Sequence, residues 1–116
     1  MFVYMLLCRD GSIYTGTARD LEKRMRDHFE KTAAVAAYTR AKGAKYLLGA
    51  WECDTPSAAL RAEHAIKTLR RAEKEALLAA PTTLTDRFPA LSGERFSPLA
   101  DADPRLVAVR AAYPCE

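Results

Sequence analysis

The chain has 116 residues, room for one hydrophobic core and little more. Its 49% hydrophobic and 28% charged content is that of an ordinary globular protein and excludes wholesale disorder. The net charge of +3 is modest, yet residues 1–80 hold 14 Lys and Arg against 10 Asp and Glu, while residues 81–116 hold 4 against 5.

Phe2 to Cys8 is apolar, β-branched and aromatic, the composition of a buried strand. Arg9 and Asp10 end this run far short of a membrane span, and no positive segment precedes it as a signal peptide requires, so a cytoplasmic location is expected. Asp10-Gly11 suits the positive φ angles of a tight turn, and Ser12 to Gly16 returns as a second strand. Thr17 offers an N-cap, with Asp20 where a capping box carries its acid. From Asp20 to about Lys31, Leu21, Met25 and Phe29 recur at i, i+4 and i+8, one stripe of a helix. Residues 32–44 read as a connector. Between Lys31 and Trp51 there is no acidic residue, while Lys31, Arg40, Lys42 and Lys45 fall there; such a basic stretch attracts phosphate through counterion release, and a solvated loop looks much the same.

Tyr46 to Trp51 reads as a third strand. Thr55-Pro56 starts a helix, Thr as cap and Pro at the first helical position, running to about Leu69. A further helix, about Ala72 to Ala80, is rich in strong helix formers and stops at Pro81. Five of the six prolines lie at 81, 89, 98, 104 and 114, so residues 82–116 are expected to form an appendage that packs on a domain of residues 1–81, with a short helix from Asp103-Pro104 to about Ala112. The expected fold is α/β: a small three-stranded antiparallel sheet flanked by helices, in the order ββαβαα. Cys8, Cys53 and Cys115 are odd in number and widely spaced, without a Cys-x-x-Cys pair; the first two fit small core residues and the last is incidental.

A set of chemically capable residues runs through this frame. Tyr4 stands on the first strand and Tyr14 on the adjacent one, where antiparallel pairing across a short turn can put both on one face. Two strand tyrosines filling a core would look the same. Arg24 and His28, at i and i+4, project from one helical face. An arginine fork suits phosphoryl oxygens and never deprotonates, although a lone helical arginine is more often a solvated charge. His28 suits proton transfer, phosphate contact or the edge of the core. Glu63 falls at the border of the arc formed by Ala59, Ala62, Ile66 and Leu69, where a carboxylate is partly desolvated and needs a partner. Lys67, four residues on, offers a plain ion pair.

The ordered series is more specific than its members. Val3-Tyr4-Met5 stands in the place of a Gly-Ile-Tyr element, Tyr14-Thr15-Gly16 in that of Tyr-Ile-Gly, followed by Asp20 to Arg24, His28, and the helical Glu63 within Ala59 to Glu63. Residues 2–80 resemble a GIY-YIG nuclease, in particular the small stand-alone bacterial members of that superfamily. The resemblance implies a metal-dependent endonuclease that hydrolyses DNA phosphodiester bonds, in repair or recombination, on single-stranded or branched DNA. It implies catalytic roles for Tyr4, Tyr14, Arg24, His28 and Glu63, with Glu63 also holding Mg²⁺ or Mn²⁺ as a hard oxygen donor. It makes Lys23, Tyr38, Arg40 and Lys67 candidate substrate contacts. Departures are the missing first glycine, the Ala-rich stretch Lys31 to Ala37, and the absence of any Asn. They keep open a rival class, a nucleic-acid-binding or partner-docking module that cuts slowly or not at all. A small-molecule role is a third possibility, since fold alone never excludes one.

Overall fold

The structure is a computed structural model that describes residues 1–32 and 41–115. Strands β1 (Phe2–Cys8) and β2 (Ile13–Ala18) form the expected hairpin, with Leu6 opposite Tyr14 and Tyr4 opposite Gly16. The Asp10 carboxylate braces its turn, accepting from the Ser12 backbone N–H at 3.0 Å and the Ser12 hydroxyl at 2.6 Å.

Helix α1 (Leu21–Glu30) is capped by Asp20, whose side chain accepts from the Lys23 N–H, so the chain stays extended three residues past the Thr17 cap expected from sequence. Asp20, expected as the acid of a capping box begun at Thr17, is itself the cap, because β2 continues pairing to Ala18. Lys31 ends the helix in the left-handed region, its N–H bonded to the Asp27 carbonyl.

Strand β3 (Ala44–Cys53) pairs antiparallel with the other side of β1, with register shifts at Met5/Leu6 and Leu7/Cys8. Helix α2 (Pro56–Lys67) starts under the Thr55 cap, and α3 (Arg71–Ala79) follows it. A short helix α4 (Leu84–Arg87), strand β4 (Phe96–Pro98) and helix α5 (Pro104–Ala112) complete the described chain. The described sheet therefore has four strands, in the order β2-β1-β3-β4, not the three expected. The fourth comes from the Pro-rich tail: three residues containing a proline carry almost no strand signal, and at a sheet edge Pro98 need not donate.

β1 lies inside the sheet and is covered on both faces, which is why its sequence is continuously apolar rather than alternating. On one face Tyr4 and Leu6 pack with Leu21 and Met25 of α1 and with Leu106 and Val109 of α5. On the other, Val3 and Met5 pack with Trp51, with the small side chains Ala58, Ala59 and Ala62 of α2, and with Leu77, Leu84 and Leu91. The tail thus supplies buried residues to both layers. Cys8 and Cys53 are buried and Cys115 is exposed. Polar contacts fasten the tail further: Arg105 donates to Glu52 and Asp103, and Arg110 donates to the carbonyls of Leu47 and Leu48 and to Asp101. Among the described residues no helix is long and apolar enough to cross a membrane.

Candidate active site

The sheet register decides where the two phenols meet. Tyr4 points to the α1 face, directly opposite Gly16. A Cβ at Gly16 would lie 2.5 Å from Tyr4 Oη, 2.7 Å from its Cζ and 2.9 Å from Tyr14 Cε2. Glycine is therefore what lets the Tyr4 ring fold across β2, and the ring centroids of Tyr4 and Tyr14 come within 6.3 Å. Gly16 was legible only as the last letter of a tripeptide; its steric role needed the register.

α1 closes over the pair. His28 is fully buried, its Nε2 2.6 Å from Tyr4 Oη, and its ring stands edge-on to both tyrosines at 5.6 and 5.5 Å. Burial pushes the Tyr4 phenol above its ordinary value, reinforced by Tyr14 and by the Glu63 charge, while Arg24 opposes it through hydrogen bonding and charge. Burial and the Arg24 cation push His28 down to about 4, against a smaller opposite pull from Asp27. At neutral pH the pair is thus a protonated phenol against a neutral imidazole, joined either by Tyr4 O–H donating to Nε2 or by Nε2–H donating to the phenol oxygen.

Asp27 is a member of this cluster that sequence reasoning did not single out. Only 8% exposed, it accepts from the Thr32 hydroxyl at 2.8 Å and pairs with Lys23 at 3.4 Å. Its position one residue before His28, on the helix that carries Arg24, was the available signal. Lys23, a candidate substrate contact, is thereby engaged at its tip while its side chain stays 62% exposed. Lys23, Arg24 and Asp27 line a cavity of about 330 Å³ with Thr17, Arg19 and Asp20. Tyr38 and Arg40 lie outside the described residues.

Glu63 reaches the patch from the opposite layer. Its side chain is 15% exposed and pairs with Lys67 at 3.3 Å, and Lys67 Nζ sits 5.7 Å from the Tyr14 ring centroid. The plain ion pair exists, and it is placed against the tyrosines. Two phenols, an imidazole, a guanidinium and a carboxylate on β1, β2, α1 and α2 therefore converge on one patch. His64 is exposed and borders a different concavity, with Arg61, Phe88 and Leu91. Among the described residues no group of three or more His, Cys, Asp and Glu could hold a metal. A single half-buried carboxylate fits a hard divalent ion that keeps most of its waters, as Mg²⁺ does, and does not suit zinc.

Residues 1–76 match the model of the GIY-YIG catalytic domain. The chain belongs to the GIY-YIG family. The UPF0213 protein of Xanthomonas axonopodis pv. citri is 43% identical over 89 residues, covering 76% of this chain and 85% of the relative. The UPF0213 protein of Natronomonas pharaonis is 40% identical over 81 residues, covering 70% and 93%. A solution NMR structure of the UPF0213 protein from Bacillus halodurans is 34% identical, covers 75% of this chain and 94% of that one, and aligns with a TM-score of 0.44. Within the GIY-YIG match lie Tyr4, Tyr14, Gly16, Arg24, His28, Glu63 and Lys67, so every described member of the patch belongs to the part of the chain that defines a nuclease superfamily.

Proposed function

We propose that this chain is a metal-dependent endonuclease that hydrolyses DNA phosphodiester bonds, acting on single-stranded or branched DNA in repair or recombination. The observation that carries this reading is the 2.6 Å contact between Tyr4 Oη and His28 Nε2, in a patch bounded by Arg24 and Glu63. A phenol raised by burial is a poor base alone. It becomes a competent relay when it can pass its own proton to an imidazole as it takes one from water.

A phosphodiester docks with its non-bridging oxygens on Arg24, whose fork and permanent charge suit them. Once that cation is paired, its depression of His28 is relieved, so substrate binding itself raises the basicity of the imidazole. Tyr4 then accepts the water proton and hands its own to Nε2. The water oxygen bonds to phosphorus, the P–O3′ bond breaks with its electron pair on O3′, and O3′ takes a proton from solvent. Tyr14 packs against both partners and fixes their rings. Glu63 is the residue that would hold Mg²⁺ or Mn²⁺, displacing Lys67, which is then free to meet a neighbouring phosphate. Such an ion, when bound, supplies Lewis-acid stabilisation of the charge that develops on the phosphoryl and leaving oxygens.

Incubation with single-stranded, duplex and branched DNA plus Mg²⁺ or Mn²⁺ tests the reading. Glu63→Ala is expected to lower cleavage by about a thousandfold, the scale of losing one main source of charge stabilisation. Equal behaviour of wild type and Glu63→Ala on every substrate sinks it. The rival binding module draws support from one observation, that Lys67 already neutralises Glu63. A binder needs no ion there. Mn²⁺ binding followed by electron paramagnetic resonance, lost in Glu63→Gln, favours the nuclease, whereas no Mn²⁺ site in the wild type favours the binder.

A further inference from the structure

At the C-terminal end of α1 lies a second concavity, of about 560 Å³, within the size range of small-ligand sites. The last turn of α1, the start of β3 and the end of α5 form its walls, and Arg9, Lys31 and Lys45 line it without a carboxylate among the lining residues. Among the described residues none of these three cations takes part in an ion pair. The nearby acids already have partners: Asp10 pairs with Lys42 and accepts from Ser12, and Glu30, beside the pocket wall, accepts from the Tyr113 hydroxyl. Three cations from three elements facing one cavity repel each other, a cost that a bound anion removes.

The cavity is also shaped. Gly43 has φ 79°, and a Cβ there would lie 3.0 Å from Arg9 Cδ and 3.4 Å from Arg9 Cγ, so the arginine stem rests on the glycine backbone. The Arg9 N–H donates to the Gly43 carbonyl at 2.9 Å and ties the two segments together. One wall is a stacked aromatic pair, Phe29 and Tyr113, with centroids 4.3 Å apart and planes 6° from parallel. Phe29 follows His28 on α1, so the two concavities share one helix, and Tyr113 is contributed by the tail.

We infer that this pocket is a second anion site, which takes successive phosphates of the nucleic-acid strand whose scissile bond lies at Arg24 and Tyr4. The inference rests on the nuclease reading for the identity of the strand. Cations spread over three elements suit a row of phosphates better than one, and the stacked rings give an unpaired base an apolar surface. The tail is then part of the substrate path, because it brings Tyr113 to the wall.

The test is the anisotropy of a fluorescent oligothymidylate of about fifteen nucleotides, titrated in EDTA across a salt series so that binding is read without cleavage. The Arg9→Ala/Lys45→Ala double variant removes two side chains that stand partly or wholly in solvent, and its melting curve checks the fold. Its affinity is expected to fall about tenfold or more, and its log–log salt slope to shrink by about 1.4, the release of two single-strand phosphates. Binding within twofold of wild type with an unchanged slope overturns the proposal, as does displacement of the oligomer by an equal concentration of thymidine monophosphate. The two readings fail separately. A wild type that cuts nothing while the double variant loses binding leaves this site standing without the nuclease. A wild type that cuts while the double variant binds normally removes only this site.

Discussion

The hairpin with α1 and the tail after Pro81 handle polar groups in opposite ways. Around Tyr4 the chain buries a phenol, an imidazole and most of a carboxylate, and displaces the proton affinities of the phenol and the imidazole. In the tail Leu84, Leu91, Leu99, Leu106 and Val109 are buried, while Arg95, Arg105 and Arg110 pair with acids near the surface. The tail follows the ordinary economy of a core; the N-terminal region departs from it. Such departures concentrate where chemistry needs groups away from their solution behaviour.

Four substitutions or conditions sharpen this contrast. Leu106→Ala should cost about 4 kcal/mol, the scale of emptying a fully buried leucine, measured by urea unfolding. A loss below about 1 kcal/mol would mean that the tail is an ornament and not part of the core. Next comes pH. His28 is neutral in the fold down to about 4, whereas an unfolded histidine takes a proton near 6.5. Between these values the unfolded state binds the extra proton, so stability present at neutral pH is lost as pH falls from about 6.5 towards 4. The loss amounts to about 3 kcal/mol, and His28→Gln should flatten that part of the profile. An unaltered slope in the variant would put the titration elsewhere.

Gly16→Ala should destabilise by about 2 kcal/mol, because its new methyl meets a ring held on all sides. Cleavage should fall by about a hundredfold at temperatures where the variant stays folded, since Tyr4 must leave His28. A stable and active Gly16→Ala would show that the close approach is dispensable. The smallest effect belongs to the surface pair Arg95–Asp54, 2.7 Å apart and about half exposed on both sides. Arg95→Ala should leave the melting temperature unchanged within error, and a large drop would contradict the assignment of the tail's stability to its apolar residues.

How far the sequence reached also differs between the two regions. The hairpin announced itself because an apolar run, an Asp-Gly turn and a returning strand agree at short range, and α2 did so through Thr55-Pro56. Of the candidate site, the i, i+4 spacing of Arg24 and His28 was local and readable. The approach of the Glu63–Lys67 pair to the tyrosines was not, because it depends on α2 crossing from the other layer; only the family resemblance linked Glu63 with them. β4 was invisible for a different reason. Three residues hold no periodicity, and their pairing with Trp51 to Cys53 is a tertiary event. The pocket of Arg9, Lys31 and Lys45 was half visible as an acid-free basic stretch, but its aromatic wall joins residues 29 and 113, which no local pattern connects.

The grip of Arg110 on the Leu47 and Leu48 carbonyls has a consequence for how the molecule meets its own kind. Among the described residues β4 pairs with only the Trp51 to Cys53 end of β3, so carbonyls at the other end would offer acceptors to a passing strand. A guanidinium laid across two of those acceptors blocks that template with a cation, and stacking of one chain on another through this margin is disfavoured before it begins.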